Sequence, residues 1–527
     1  MITERKISAR ESCKHDLENA SGVQRLIKNS IASAITGLSI ALTSVVVPPV
    51  LARTLTPFEF GAWALVLQLA GYVSVLDLGI QGAVGRYVAY YLANQRRDMA
   101  ANFASTALTI LCFAALVGIG SLAAAGIFLH ALFPQVPHAL LRPARIALGL
   151  VGIGVSIGLP ASAFRGVLTG VERYELVALV AAPTGLLLSL ALIALALGGF
   201  GIVVLAVAFA TVKLLSYVAY WRISRAFGKM SVRPALIDRE MGRELWAYCS
   251  STMIWSVGML IVSGLDVAIV ARLDFARLAA YAACVTPITI IAGAQTTVFR
   301  PLLQVGSRHF ARGEMASVRG LLLRATRICV VSILLTVIPI FLFSHLILTY
   351  WLGKTYADQA TLILRLMLVG QAIRLIATPY ATLLLATNNH RITRFPAIAE
   401  ALTNATSAVL LGIRFGADGV ACGVIVGAVV GQLMNVLYNY PRTKDVVGQG
   451  RKLLIRAILI PAACFSPIAS IPLVESLNVG EIGRISLELT ASLASMFAIW
   501  KFAIEVNERR WLVEIFQRNF RIARRYQ

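Results

Sequence analysis

Charge is what this sequence has least of. Only 14% of its 527 residues are Asp, Glu, Lys or Arg, whereas a soluble globular protein carries about a quarter. Polar linkers are missing as well, although a soluble chain of this length would divide into two or more domains joined by them. No Gly-rich phosphate loop followed by Lys and Ser or Thr occurs, so nothing points to ATP hydrolysis. Histidine is scarce, at six residues, and none stands at ligand spacing from another histidine or a cysteine, so no metal is expected. The seven cysteines lie mostly in apolar runs and imply no disulfide framework. Gly152-Ile153-Gly154 sits inside an apolar run and is no dinucleotide fingerprint, and no other cofactor motif is present.

Apolar residues are what is abundant, at 58%. Runs of 18 or more recur from Ile31 to Ile504, each long enough to cross a hydrocarbon core of about 30 Å. The expected fold is all-α and polytopic, with about fourteen transmembrane helices. They centre near Ser39, Val73, Leu116, Ile153, Leu188, Phe209, Gly258, Ile288, Val337, Gln371, Ala405, Val430, Ala463 and Ala494. Residues 1–29 are polar and mixed in charge, with no apolar core before a cleavage site, so they read as a cytoplasmic tail and not a signal peptide.

The net charge of +23 would suggest nucleic acid in a soluble chain. Its distribution excludes that. Lys and Arg number six in the N-terminal tail, six from Arg222 to Arg243, six from Arg300 to Arg327, five from Arg442 to Arg456 and seven from Lys501 onward. The alternate loops are nearly bare: none from Gly198 to Gly201, Lys354 alone near Gly353, Arg414 alone near Gly416. The positive-inside rule then places both termini in the cytoplasm, with anionic membrane lipids as partners.

A weak internal repeat appears at a constant offset of 218 residues, pairing Leu55, Trp63, Ala93, Gly201 and Tyr220 with Leu273, Tyr281, Ala311, Gly419 and Tyr438. An even number of helices separates the copies, so two six-helix lobes would run in parallel, a transporter plan with substrate bound between lobes. The expected organisation is an N-lobe over 30–223, a cytoplasmic linker over 224–244 and a C-lobe over 245–441. Two further helices over 452–506 follow, then a basic amphipathic tail over 507–527 suited to the headgroup layer.

Ionisable side chains deep in a membrane are costly and mark cavities or ion pairs. Lys213 lies near the middle of the sixth helix with Ser216, Tyr217 and Tyr220 on its face. Arg374 lies near the middle of the tenth with Gln371 and Thr378. A cation from each lobe facing a central cavity would suit a diphosphate; the alternative is that each neutralises an internal carboxylate. Arg365, on the opposite face from Arg374, lies near enough to a surface to snorkel. Three embedded carboxylates, Asp77, Asp266 and Glu400, are candidates for carrying a coupling ion or for salt-bridging those cations. Asp266 ends a polar stripe of Thr252, Ser256, Met259 and Ser263, and Glu400 heads one of Thr403, Asn404 and Ser407; such stripes line wet paths or glue helices. Prolines at 48, 49, 160, 183, 287, 339 and 379 are expected to break or kink their spans.

The run Leu51-Ala52-Arg53-Thr54-Leu55-Thr56-Pro57-Phe58-Glu59-Phe60-Gly61, followed by Leu76-Asp77-Leu78-Gly79-Ile80, resembles the signature of polysaccharide flippases in the multidrug/oligosaccharidyl-lipid/polysaccharide exporter superfamily. Phe164-Arg165-Gly166 with Gly170 and Arg173, Asp266, Tyr350-Trp351-Leu352-Gly353 and Leu383-Leu384-Leu385-Ala386-Thr387-Asn388 extend the resemblance from about Asn29 to Pro441. The resemblance implies a two-lobed bundle that rocks between inward-open and outward-open states. It also implies a cargo of undecaprenyl-diphosphate-linked oligosaccharide, such as an O-antigen or exopolysaccharide repeat unit. Coupling by protons or sodium and contact with other polysaccharide-assembly membrane proteins go with it, and no catalysis does. Asp266 matches a family position. Related flippases for the peptidoglycan precursor carry arginines in the first two spans, and no mid-span arginine stands there in this chain. Two rival functions are a multidrug cation extruder, which needs a net acidic cavity, and a membrane enzyme. A polymerase would need a long periplasmic loop, and an acyltransferase a histidine near a membrane face, for which His130, His138, His345 and His390 are available.

Overall fold

The computed structural model describes residues 43–228, 231–233, 238–449, 453–464 and 481–503. These are helical almost throughout, with no strand among them. Nine stretches are long and apolar enough to cross a membrane, among the described residues. Large apolar side chains such as Phe113, Leu190, Leu410 and Ile413 stand well exposed, as expected where the surrounding solvent is lipid and not water. Of the fourteen expected helices, the first is centred outside the described residues and the thirteenth is described only in part.

The first helices are α1 (43–54), α2 (Pro57–Val73) and α3 (Ile80–Ala93). Thr56 opens α2 with a capping box: its hydroxyl accepts from the Glu59 amide, and the Glu59 carboxylate accepts from the Thr56 amide, with Pro57 in the first turn. The helices α4 (Arg97–Ile127), α5 (His138–Gly170), α6 (Tyr174–Leu197), α7 (Ile202–Phe227) and α8 (Arg239–Leu273) follow. Next come α9 (Leu278–Ala311), α10 (Met315–Leu342), α11 (Ser344–Leu352), α12 (Lys354–Leu375), α13 (Thr378–Ala386), α14 (Arg394–Met434) and α15 (Glu481–Ala498).

The chain divides into two compact units, Met1–Ala283 and Cys284–Gln527. The seventh helix, expected at the head of the second lobe, packs with the first unit as α8. Its Gly264 carbonyl accepts from Gln68 Nε2 at 3.0 Å and from the Tyr72 hydroxyl, and its Glu244 carboxylate accepts from Tyr91 at 3.1 Å. In the second unit α14 is two crossings. The backbone reverses at Gly416 (φ 61°, ψ −139°), so an arm over 394–415 lies antiparallel to one over 417–434. Gly419, Gly423, Gly427 and Gly431 recur every fourth residue along the second arm. A Cβ at Gly423 would stand 2.6 Å from the Ala408 amide nitrogen, so only glycine lets the arms approach this closely.

Two spans are broken, and proline explains only one. Between α2 and α3 the chain runs through a 3₁₀ turn over Ser74–Asp77, then Leu78 (φ 49°) and Gly79 (φ 79°) in the left-handed region. The break costs a non-glycine residue a conformation it rarely adopts. Between α12 and α13 the break comes at Ile376 and Ala377, with Pro379 in the first turn of α13. No break stands at Pro48, Pro49, Pro160, Pro183, Pro287 or Pro339: α1, α5, α6, α9 and α10 run through them. Packing against neighbouring helices and lipid offers freed carbonyls no better partner outside the helix.

Candidate functional site

In the first unit α5 and α7 run side by side in the same direction. A Cβ on Gly154 would lie 3.2 Å from Ala210 Cα and one on Gly158 2.5 Å from the Tyr217 hydroxyl, while Leu168 packs with Tyr220. Glycines at 154 and 158 thus open the space that Lys213 and Tyr217 fill. Lys213 is half-buried, and its ammonium lies 5.7 Å from the centre of the Phe209 ring, a cation–π distance. Further along, the half-buried Arg165 guanidinium lies 5.8 Å from the centre of the Tyr220 ring. Among the described residues no carboxylate stands within ion-pair distance of Lys213 or Arg165. Each is a cation beside an aromatic ring with no counter-ion among the described residues, and each is able to hold an anion.

Asp77 sits at the break between α2 and α3, where Ser162 Oγ of α5 donates to its Oδ1 at 2.6 Å. Asp266 is buried in α8, beside the Gly264 carbonyl that takes Tyr72 and Gln68. The side chains of Thr252, Ser256, Met259 and Ser263, the stripe expected to lead to it, lie outside the described residues.

In the second unit the structure joins Arg374, Gln371 and Glu400. Arg374 Nε donates to Glu400 Oε1 at 2.5 Å and its Nη1 donates to Gln371 Oε1 at 3.2 Å. Glu400 is seated where the second arm of α14 has no side chain: a Cβ on Gly431 would lie 2.8 Å from Glu400 Oε2. The next residue, Gln432, donates to the Ile373 carbonyl at 2.7 Å, and the Cys329 thiol donates to the Leu375 carbonyl at 3.5 Å. These are the carbonyls that the end of α12 leaves without helical partners. Arg374 therefore belongs to a packed ion pair at a helix break, with Nε on Glu400 and Nη1 on Gln371, while its Nη2 is buried without a hydrogen-bond partner. Arg365 is similarly engaged, donating to the Phe341 carbonyl and to Ser344 Oγ at 2.9 Å, so it ties α12 to the end of α10. Arg327, counted with a basic loop in the sequence, lies inside α10 and is buried.

The histidines do not gather. His130 and His138 meet with ring centres 4.9 Å apart and planes tilted by 47°, and His345 pairs with Asp358 at 3.0 Å. The His390 side chain lies outside the described residues. No group of three metal-ligating side chains occurs among the described residues.

The sequence from 26 to 301 matches the profile of the family described as polysaccharide biosynthesis protein. The chain belongs to that family. No curated protein matches it by sequence. Its fold is shared with an inward-facing multidrug resistance MATE family transporter of the MOP superfamily, at a TM-score of 0.69 and 14% identity, over 80% of this chain and 99% of that one. The lipid II flippase MurJ in an inward-closed conformation matches at 0.67 and 15%, over 94% and 99%. A MOP superfamily transporter from Pyrococcus furiosus, described as having a binding pocket of reversed polarity, matches at 0.51 and 16%, over 77% and 96%. The polysaccharide biosynthesis protein thus has the all-α fold of the MOP exporters. Those structural neighbours are transporters and a flippase, not enzymes.

Two features escaped the sequence reading. Arg165 was visible only as part of a family motif, although Gly154, Gly158, Ser162 and Arg165 fall on one helical face. The four glycines from 419 to 431 carry the spacing of a close helix pair, and that spacing would have placed Glu400 opposite Gly431.

Proposed function

We propose that the chain moves an undecaprenyl-diphosphate-linked oligosaccharide, an O-antigen or exopolysaccharide repeat unit, from the cytoplasmic to the periplasmic leaflet of a bacterial inner membrane. The observation that carries this reading is the half-buried Lys213, mid-helix among aromatic rings with no carboxylate partner among the described residues. A buried cation without a built-in counter-ion is costly, and a passing diphosphate supplies one. Tyr217 and the sugar-compatible hydroxyls around it line the same face. Family membership supports a polysaccharide precursor as cargo, and the neighbours' inward-facing and inward-closed states support alternating access. Both termini are cytoplasmic in this reading, on the loop charges given above. Asp77, held by Ser162 at a broken helix, and Asp266 are the carboxylates assigned to a coupling proton or sodium ion. Glu400 is assigned instead to neutralising Arg374, and Gln371 to holding that arginine. A cation extruder would be expected to present acid where Lys213 stands.

Deleting the gene in its own host tests this. The expected result is loss of one surface polysaccharide, with its lipid-linked repeat unit accumulating in the cytoplasmic leaflet and both restored by the wild-type chain. Unchanged surface polysaccharide with no accumulation would overturn the reading.

A further inference from the structure

The shared direction of α5 and α7 sets the heights of their charges. Lys213 lies beside Gly154, its Cβ 3.9 Å from where a Cβ on that glycine would be. Arg165 comes eleven residues later on α5, about 16 Å further along the axis at 1.5 Å per residue. That is about half the thickness of a hydrocarbon core. Level with Arg165, on α7, stands the exposed Arg225, 5.2 Å from the centre of the Trp221 ring, and past the Gly170 end of α5 stands the exposed Arg173, 5.7 Å from that of Phe227. Cations therefore occur at three heights in one unit, from the basic end to mid-span.

Arg165 has the marks of a group awaiting an anion. Its Nε is buried without a hydrogen-bond partner. Its platform is rigid, because the Tyr220 hydroxyl donates to the Val177 carbonyl of α6 at 3.3 Å. It is within electrostatic reach of Lys213, Tyr217 and Tyr220, so the two cations repel until something negative comes between them.

We propose that Arg165 and Lys213 are successive rungs of an anion path inside the first unit, which takes the diphosphate of the lipid-linked saccharide from the basic end of α5 and α7 to mid-span. This rests on the translocation reading and adds to it a capture step and the residue that performs it. The guanidinium of Arg165 offers a fork of donors to one phosphate group as it enters, and Lys213 offers a compact charge at the next height. Only the headgroup needs the path, since the polyprenyl chain is at home in lipid.

The test is binding of farnesyl diphosphate and of uncharged farnesol to the purified full-length chain in lipid nanodiscs. Arg165→Gln and Lys213→Gln are each expected to weaken farnesyl diphosphate binding at least tenfold while leaving farnesol binding within twofold. Arg165→Lys, which keeps the charge and loses the fork, is expected to fall between wild type and Arg165→Gln. Should Lys213→Gln weaken the diphosphate and Arg165→Gln not, the capture step is overturned and the translocation reading stands. If neither does, both are overturned. A photoreactive analogue of farnesyl diphosphate gives a measurement that needs no variant. Labelling of wild type within 154–170 and 210–220 is expected, and labelling confined to the second unit would overturn the proposal.

Discussion

In the first unit Lys213 and Arg165 face Phe209, Tyr217 and Tyr220, with no ion-pair partner among the described residues. In the second, Arg374 is closed off by Glu400 and Gln371. At the 218-residue offset read in the sequence, the position of Lys213 falls on Gly431, the glycine on which Glu400 is seated. One unit keeps a cation beside an aromatic ring, and the other brings a carboxylate to an arginine of its own. In a buried ion pair such as Arg374 with Glu400 the two charges neutralise each other, even though Arg374 Nη2 keeps no hydrogen-bond partner. An unpaired cation in the same setting remains electrostatically available.

The largest effect is expected at Lys213. Losing a hydrogen bond to a charged group costs roughly 1.5–3 kcal/mol, so Lys213→Ala should lower translocation about tenfold to a hundredfold at matched membrane levels, with the melting temperature little changed. Glu400→Ala should do the reverse. Stripping one partner from a buried pair costs about 3–5 kcal/mol, and the loss should appear in thermal unfolding in detergent. The double change Arg374→Met with Glu400→Met is expected to recover most of it. Gly423→Ala, which drives a methyl into the Ala408 backbone, should destabilise the α14 hairpin by about 1–3 kcal/mol, whereas alanine at the open Gly71 should be tolerated. Smallest is His345→Ala: its pair with Asp358 is exposed, such pairs contribute about 0–1 kcal/mol, and neither stability nor surface polysaccharide should change.

Much of the fold was legible in the sequence because a membrane leaves few choices. Long apolar runs must be helices, and the alternation of basic and bare loops orders them. The site was legible in part. Lys213 and Arg374 stood out as charges in apolar runs, but that Arg374 meets Glu400 depended on how the first arm of α14 packs on α12. The turn of α14 is set by Gly416 and by the glycine stripe, a signal of spacing and not of charge. Arg165 was obscured by lying near the end of its span, where an arginine ordinarily reaches for the surface. Its pairing with Lys213 needed the register of α5 against α7, which Gly154 and Gly158 fix and hydropathy does not report. The break at Leu78 and Gly79 carried no proline, so it was missed, while six of the prolines singled out lie in continuous helix.

The most direct test of the asymmetry between units compares two charge-neutral changes in the native host lacking its chromosomal copy. One is Lys213→Gln and the other is Arg374→Gln with Glu400→Gln, both at matched membrane expression. The account predicts that Lys213→Gln leaves the lipid-linked repeat unit trapped in the cytoplasmic leaflet, while the double variant restores surface polysaccharide. Restoration by Lys213→Gln together with failure of a folded double variant would contradict it.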